Sequence, residues 1–448
     1  MYTLQGGLKM KKSKCIYLVL TLMFILILSP KVLAEENKEI EKALIDQLGD
    51  DYEKKLELNQ KAADNATKIE KYFSKKRNGE IKYPNYMGGL YINKNNNLVV
   101  QFVESAIPAE NDKQYNNYQA IKNVSEDIDI EFVSYSYLDL QEIHDIILDY
   151  YLNKNENKNI VGLHIDVEKN SVIVNFREYN DEVINYFKEN VINSPAVVFD
   201  KGEVYSVVSD SNNEKDNDTI KVTDINPGAG FTIIGNNEKK SDCSVGYRAR
   251  LTSDPKRIGF VTAAHCFNAK GNTSTIYSLP NIGKVTKFQF DEDLDAAWVE
   301  TFDNINPTNK FEYEQTFNPN ILSQRDGDYV STEIDKRHLQ GRYVAKLGTS
   351  SMITIGEISW PSDTITFVHK DKDGNEIESV LKDVVLVNGS NGGAAPGDSG
   401  GVVVQVQYGD FINKYPTNGI VAASNNGTSY YAYIKATNIN NAFGLERY

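Results

Sequence analysis

Residues of the types needed for nucleophilic catalysis stand in distinctive local sequences. Ser399 lies between glycines in Gly397-Asp398-Ser399-Gly400-Gly401 and precedes the apolar run 402–404. Glycines at such positions allow positive φ and let successive N–H groups point at one place, as a developing oxyanion requires. A pentapeptide of this kind could also be a simple Gly-rich turn. Its meaning therefore depends on whether the chain supplies a base for the serine.

A serine hydroxyl needs a base, and the imidazole of that base needs a carboxylate to fix its tautomer. His265 follows the strand-like segment 260–264, which runs into a small-residue turn. On its own it could be any surface or core histidine. Asp295 immediately precedes an apolar strand, so it could be buried at the start of that strand. The order His265, Asp295, Ser399 predicts a general base, an orienting carboxylate and a nucleophile.

The start of the chain has the features of a secretory signal peptide. Lysines precede an apolar run at 16–28, and Val32 and Ala34 form a small-residue cleavage site. The alternative is a retained membrane anchor, but the run is shorter than the roughly 20 residues that span a bilayer. We predict that residues 1–34 are removed and that the remainder is secreted to the extracellular space without stable membrane association.

Length and charge narrow the remaining possibilities. A chain of 448 residues is long for one hydrophobic core and predicts two or three units. The net charge of −14 argues against a nucleic-acid or anionic-membrane surface, which needs clustered Lys and Arg. Of three cysteines, Cys15 would leave with the signal peptide. Cys243 and Cys266 then remain as an even pair in an oxidising compartment, which favours one disulfide over two buried thiols.

The segment before the catalytic motifs divides into three parts. Residues 35–72 are charged with apolar residues at helical spacing, which predicts a short helical lead-in. From 86 to 208, a strand–turn–strand pattern followed by a helix occurs twice, which predicts an α+β unit of two related halves. The polar stretch at about 209–224 lacks apolar periodicity and predicts an exposed linker open to proteolysis. Short strands separated by turns fill 225–448, as in an all-β sandwich or barrel.

At this point the sequence resembles a known family. Residues from about 225 to 448 are similar to the bacterial chymotrypsin-like serine proteases, the group of streptogrisins and α-lytic protease. The similarity rests on five matching segments: 243–247 (CSVGY), 259–266 (GFVTAAHC), 295–298 (DAAW), 396–401 (PGDSGG) and 419–421 (GIV).

The resemblance implies a fold and a domain plan. It implies an all-β protease domain of two six-stranded antiparallel β-barrels at 225–448, with the active site between them. The α+β unit resembles the propeptides of the same group, so residues 35–224 are expected to act as intramolecular chaperone and inhibitor before removal. The family implies a monomeric secreted serine endopeptidase that works through an acyl-enzyme and acts on protein or peptide substrates.

The resemblance also implies roles for individual residues. The N–H groups of Gly397 and Ser399 are expected to form the oxyanion hole. Relatives pair the aspartate of the serine motif with an arginine, whereas this chain offers Lys346, a less suitable geometric partner for a carboxylate. The expected specificity pocket holds no charged side chain and predicts cleavage after apolar or aromatic residues; it comprises Gly393, Ala394, Ala395, Ala422, Ala423 and Ser424.

Two other functional classes remain as alternatives. A catalytically silent, protease-shaped binding module would keep the fold, although no member of the predicted triad is missing. A different triad hydrolase would place its serine in a Gly-x-Ser-x-Gly elbow between strand and helix, unlike the β context here. No cofactor is expected. The histidines lack metal-ligand spacing, so no metal site is predicted, while a surface calcium site stays open in so acidic a chain.

Overall fold

The structure is a computed structural model. It describes residues 38–75, 81–153, 159–207, 224–234, 240–267, 277–279, 282–311, 330–370, 375–389, 393–408, 415–425 and 429–448. The predicted signal peptide and most of the predicted linker lie outside these ranges. The domain boundaries at 34/35 and 224/225 therefore stay predictions.

Two helices, not one short lead-in, precede the first sheet. Helix α1 (Lys38–Leu48) ends before Gly49, and α2 (Tyr52–Glu70) follows after a turn. Helix α2 buries one apolar stripe that includes Leu56, Ala63, Ala66 and Ile69. This stripe repeats every three to four residues, which explains why the segment is a helix packed on one side.

The first α+β half follows α2 with a hairpin, a helix and a third strand. Its elements are β1 (Ser74–Lys75), β2 (Ile81–Lys82), β3 (Met87–Ile92), β4 (Leu98–Val103), α3 (Tyr115–Lys122) and β5 (Ile128–Val133). Strand β3 pairs antiparallel with β4, and β4 pairs parallel with β5. The parallel pair needs a crossover, which α3 supplies.

The second half repeats this order. Its elements are α4 (Tyr137–Asn153), β6 (Ile160–Asp166), β7 (Ser171–Phe176), α5 (Asp181–Asn190) and β8 (Val197–Lys201), followed by β9 (Tyr205–Val207). Strand β6 pairs antiparallel with β7, and β7 pairs parallel with β8. Asn180 caps α5, since its side chain accepts a hydrogen bond from the Val183 N–H at 3.0 Å. The prediction of two related halves agrees with this shared topology.

The remaining elements are almost all strands. They are β10 (Asp224–Ile225), β11 (Gly230–Ile234), β12 (Lys240–Ser244), β13 (Arg248–Leu251), β14 (Ile258–Thr262), β15 (Tyr277–Leu279), β16 (Gly283–Phe290), β17 (Asp295–Thr301), β18 (Asn306–Pro307), β19 (Val330–Ile334), β20 (Tyr343–Gly348), β21 (Met352–Lys370), β22 (Glu376–Gly389), β23 (Val402–Gln405), β24 (Tyr415–Ser424), β25 (Tyr430–Lys435), α6 (Ala436–Phe443) and β26 (Leu445–Glu446). A short 3₁₀ helix (His265–Phe267) follows β14.

Most of these strands form two antiparallel systems. The first is a six-stranded sheet in the order β15-β16-β17-β14-β13-β26. The second runs β20-β23-β24-β25-β22-β21 and closes on itself because β20 also pairs with β21. Closure removes the free edges of this sheet and encloses a packed interior of aliphatic and tyrosine side chains. The predicted fold class, an all-β unit preceded by an α+β unit, is confirmed. Of the two predicted six-stranded barrels, the second closes, while the strand pairings within the described ranges leave the first as a six-stranded sheet.

Strand β21 extends beyond the closed barrel and joins it to the α+β unit. Its residues Asp363, Thr364 and Ile365 pair antiparallel with β6, so one sheet continues from the barrel through β6, β7 and β8. Side chains reinforce this junction: the Tyr151 hydroxyl lies 2.6 Å from the Thr366 hydroxyl. None of the helices in the described ranges combines the length and apolar character needed to cross a membrane.

Candidate active site

The structure brings the three predicted catalytic residues together. His265 Nε2 lies 2.7 Å from Ser399 Oγ, and His265 Nδ1 lies 2.5 Å from Asp295 Oδ2. The Asp295 Oδ1 atom accepts a second hydrogen bond, from the His265 backbone N–H at 2.9 Å. The His265 and Asp295 side chains are 2% and 1% exposed. The imidazole is thus held from both sides, with one nitrogen facing the hydroxyl and the other facing the carboxylate.

Adjacent strands of the first sheet hold this geometry. Asp295 is the first residue of β17, and β17 pairs with β14, which leads directly into the turn that carries His265. The side chains around Asp295 along β17 are buried because the strand lies in the middle of the sheet. Burial of a carboxylate at such a position is costly unless hydrogen-bond donors satisfy it, and here Asp295 receives two donors from His265.

A disulfide fixes the other side of the His265 turn. Cys243 and Cys266 are joined, with a Cα–Cα distance of 6.3 Å, as the even pair of cysteines predicted. The bond ties the end of β12 to the residue that follows His265. It therefore restrains the general base and the region of β12 that contacts the serine loop.

The loop before Ser399 presents unused backbone donors. Gly397 has φ +102°, and a Cβ there would lie 2.3 Å from Ser350 Oγ, so only glycine fits this position. The N–H groups of Gly397 and Ser399 donate no hydrogen bond within the described ranges, whereas the Asp398 N–H between them donates to Ala395 O. Two free donors beside a nucleophile are what a developing oxyanion requires.

Ser244 orients this loop, a role the sequence did not suggest. Its hydroxyl donates to the Gly397 carbonyl at 2.8 Å and accepts from the Thr349 N–H at 2.8 Å. Its backbone N–H donates to the Ser399 carbonyl at 2.8 Å. These bonds fix the direction of the Gly397 carbonyl and the plane of its peptide. The only available signal was that Ser244 follows a disulfide cysteine.

A buried ion pair supports the same loop from behind. Lys346 Nζ lies 2.9 Å from Asp398 Oδ2, and both side chains are 0% exposed. The carboxylate also accepts from the N–H groups of Ser350, Ser351 and Ala395 at 2.9, 3.1 and 2.9 Å, and from the Ser351 hydroxyl. Burial alone would raise the pKa of Asp398. The Lys346 charge and these donors hold it below its ordinary value.

The residues predicted to line the specificity pocket lie on both sides of the serine loop. One side is the segment 393–395 and the other is the end of β24. The side chains of four of these residues are almost completely buried: Ala394, Ala422, Ala423 and Ser424. A Cβ on Gly393 would lie 2.5 Å from the Ser429 carbonyl oxygen, so the backbone at Gly393 packs directly against that of Ser429. No charged side chain belongs to this set.

The last strand of the α+β unit pairs with β24, which also hydrogen-bonds to the loop that carries Ser399. Strand β9 pairs with the end of β24, Val207 opposite Ala423 and Ser206 opposite Ser424. It also pairs with β21 through Tyr205 and Ser206. An extended segment of the chain therefore lies along the end of β24, near the Ser399 loop. The sequence had predicted only a linker further on.

Within the described ranges, no group of three or more His, Cys, Asp or Glu side chains could hold a metal ion. Ser399 can give its proton to His265 and attack a carbonyl carbon, and the two free N–H groups can stabilise the resulting oxyanion.

Comparison with protein-family models gives two matches, both within the α+β unit. Residues 44–133 match the family model described as a Pro-like N-terminal domain, and residues 138–202 match the Pro-like C-terminal domain. A search of curated proteins found no match. The α+β unit thus consists of the two Pro-like domains, and their boundaries follow the two halves seen in the sheet topology.

Among solved structures, the chain is similar to several bacterial proteases. They include a Nocardiopsis protease (21% identity, TM-score 0.34), Thermobifida fusca protease A (19%, 0.36) and a Cellulomonas bogoriensis chymotrypsin (19%, 0.34). Each match covers 50% of this chain and 98% of the other. What the family models show for this chain is its pair of Pro-like domains, N-terminal and C-terminal.

Proposed function

We propose that the chain is the zymogen of a serine-type endopeptidase that hydrolyses peptide bonds through an acyl-enzyme. The observation that carries this proposal is the hydrogen-bonded line Asp295–His265–Ser399 beside the free N–H groups of Gly397 and Ser399. Nucleophile, base, orienting carboxylate and oxyanion donors are the four parts that acyl transfer requires.

The proposed reaction follows from this geometry. Ser399 Oγ bonds to the scissile carbonyl carbon while His265 Nε2 accepts its proton, and Asp295 stabilises the imidazolium that forms. The oxyanion accepts hydrogen bonds from Gly397 and Ser399. Collapse expels the amine, which takes the proton from His265, and the same base then activates water to release the acyl group.

The decisive experiment uses the expressed chain with a casein-type substrate, with and without a serine-directed phosphonate. We expect casein cleavage, its loss with the phosphonate, and a covalent adduct on Ser399 found by mass spectrometry of the digested protein. A folded, processed chain that neither cuts casein nor takes the label would instead support a silent binding module.

Specificity follows from the lining of the pocket. Its walls carry alanine, glycine and serine, so a lysine or arginine side chain would be buried there without a counter-charge, at a cost of several kcal/mol. We therefore expect cleavage after apolar or aromatic residues. Profiling with a peptide library tests this, and a clear preference for Arg, Lys or Glu would contradict it.

We propose that the Pro-like domains assist the folding of the protease unit and then inhibit its active site. The barrels are built from strands far apart in sequence, such as β20 with β23, and such non-local pairing folds slowly. A template on β21 can lower the folding barrier because β6 continues the barrel sheet. The tail on β24 accounts for inhibition, since it covers the strand beside Ser399.

Separating the two parts tests the folding role. Residues 225–448 are refolded alone and then with residues 35–224 added as a second chain, and casein cleavage is measured. We expect activity only when the second chain is present, in proportion to the amount added. Equal recovery without it would give the Pro-like domains some other role.

Secretion is part of the same proposal. It rests on the lysine-rich start and the apolar run at 16–28, which lie outside the described ranges. The formation of a disulfide between Cys243 and Cys266 suits an oxidising compartment. Detection of the chain in cells but never in the culture medium would contradict it.

A further inference from the structure

One loop of the all-β unit is embedded in the N-terminal Pro-like domain. Residues 335–342 connect β19 to β20, and Leu339 in this loop is 7% exposed. Its side chain belongs to the hydrophobic cluster of the Pro-like domain, because all the other buried members of that cluster in the described ranges lie between residues 62 and 121. Leu339 therefore projects from its own unit and fills a site in another one.

Arg337 of the same loop contacts one face of helix α2. Its Nη1 donates to the Ala63 carbonyl at 3.3 Å and to the Thr67 hydroxyl, and its Nε donates to Glu70 Oε2 at 3.2 Å. These partners are spaced four and three residues apart, so they share a face of the helix. Burial raises the pKa of the Glu70 carboxyl, and the Arg337 charge opposes that rise.

The main chain of the loop is held from two sides. Asn59 Nδ2 donates to the Gly341 carbonyl at 2.8 Å, and the Ile92 N–H donates to the Gln340 carbonyl at 2.9 Å. Gly341 has φ +86°, and a Cβ there would lie 2.0 Å from the Ile92 carbonyl oxygen. Only glycine allows this approach, so helix α2 and the end of β3 bind the loop backbone directly.

Contacts inside the all-β unit give the loop its shape. Arg342 Nη1 lies 3.3 Å from Asp335 Oδ2, and His338 Nδ1 lies 2.8 Å from the Tyr433 hydroxyl. The Ile358 N–H of β21 donates to the Arg342 carbonyl at 2.8 Å. These contacts do not involve the Pro-like domain, so the loop is preorganised for its partner, which lowers the entropic cost of docking.

We propose that loop 335–342 is a docking site on the all-β unit for the N-terminal Pro-like domain. The site is separate from the pairing of β6 with β21 and of β9 with β24, and it goes beyond the proposed function because docking needs no catalysis. The partner that the loop fits is a helix face beside a strand end: Asn59, Ala63, Thr67, Glu70 and Ile92.

The chemistry of the loop makes the docking selective. A partner must offer an apolar site for Leu339, a carboxylate for Arg337 and two N–H donors for the carbonyls of Gln340 and Gly341. A domain that lacked any of these would leave a buried charge or carbonyl without a partner, which penalises the wrong domain. The loop also gives the Pro-like segment a second attachment, so its release depends on both attachments.

The test measures how fast the two parts of the chain separate. The full chain carries Ser399→Ala and, within 209–224, an inserted recognition sequence for a site-specific protease. After that sequence is cut, loss of the all-β piece from the immobilised Pro-like piece is followed. We expect Leu339→Ala to speed separation by about 30-fold or more, because it empties a buried site.

Two further substitutions examine the polar contacts from either side. Arg337→Met in the all-β piece and Asn59→Ala in the Pro-like piece should each speed separation by about 10-fold. The control is Arg257→Met, which removes a guanidinium whose partner Glu300 lies in the same piece, so its separation rate should stay within about 2-fold of the parent. Asn59→Ala leaves the sequence of the all-β piece unchanged, so misfolding of that piece cannot explain its effect.

A second change across the contact shows whether Arg337 and Glu70 act on each other. Arg337→Met leaves the Glu70 carboxylate buried without its counter-charge, so adding Glu70→Gln should slow separation by about 3-fold or more relative to Arg337→Met alone. No recovery in this double variant would overturn the proposal. So would separation rates for Leu339→Ala and Asn59→Ala that match the Arg257→Met control. Phosphonate labelling of Ser399 tests the proposed function independently of these rates.

Discussion

The Ser399→Ala chain is expected to accumulate intact and to lose peptide-bond cleavage by about 10⁴-fold or more. The hydroxyl 2.7 Å from His265 Nε2 is the only group that the proposed base can activate among its described contacts. Alanine removes that nucleophile while changing little volume, so the fold should persist. Casein cleavage and the mass of the purified chain measure both effects.

Substitution of another buried serine, Ser331, tests whether the loss of cleavage is specific to Ser399. Ser331 is also buried, but its hydroxyl accepts only from the Glu333 N–H in the described structure, away from the triad. Ser331→Ala should keep activity within about 3-fold, because a single lost hydrogen bond leaves the triad in place. Residual cleavage by Ser399→Ala comparable to this control would show that Ser399 is not the nucleophile.

The sequence predicted the site better than it predicted the surroundings that hold the site. His265, Asp295 and Ser399 were recognisable because each stands in a local sequence that reveals its role, a strand end or a Gly-rich turn. Asp295 in particular was placed at the start of a buried strand, and it is the first residue of β17. These inferences needed only local patterns, which the sequence carries directly.

Contacts between distant segments were not predictable in the same way. Ser244 hydrogen-bonds to Gly397 across 153 residues, and Ser351 contacts Asp398 across 47. Neither residue has a local pattern that distinguishes it from any other serine. The pairing of β6 with β21 was equally hidden, because an edge strand can accept many partners and only the folded topology selects one.

The two halves of the α+β unit were predicted only in part. Hairpin alternation and turn residues predicted β3 with β4 and β6 with β7, and the repeat of that pattern predicted two related units. The parallel strands β5 and β8 that complete each half were not predicted. Their partners lie across a helix, so no short-range pattern of the sequence marks them.

Removing the buried ammonium with Lys346→Met is expected to lower the free energy of unfolding by about 3–5 kcal/mol. Methionine fills a similar volume, but it leaves the Asp398 carboxylate, 0% exposed, without its counter-charge. The measurement is denaturant unfolding in the Ser399→Ala background, where self-cleavage cannot interfere. Lys382→Met is the control, since Lys382 and Asp293 form a partly exposed pair worth about 1 kcal/mol or less.

The Lys346–Asp398 pair also predicts how the stability difference between wild type and Lys346→Met depends on pH. The pKa of Asp398 is lowered from 3.8 in the folded chain, so its contribution to stability is present above pH 3.8 and is lost as pH falls through the folded value. In Lys346→Met, burial without the ammonium would raise that pKa, so the variant is penalised only while Asp398 is ionised. The difference in unfolding free energy between wild type and variant should therefore shrink as pH falls towards 4.

Adding Asp398→Asn to Lys346→Met should recover part of the lost stability near neutral pH, because the neutral amide oxygen can still accept from Ser350 and Ser351. No recovery, or a gap that widens in acid, would mean that packing around Lys346 and not its charge supports the serine loop.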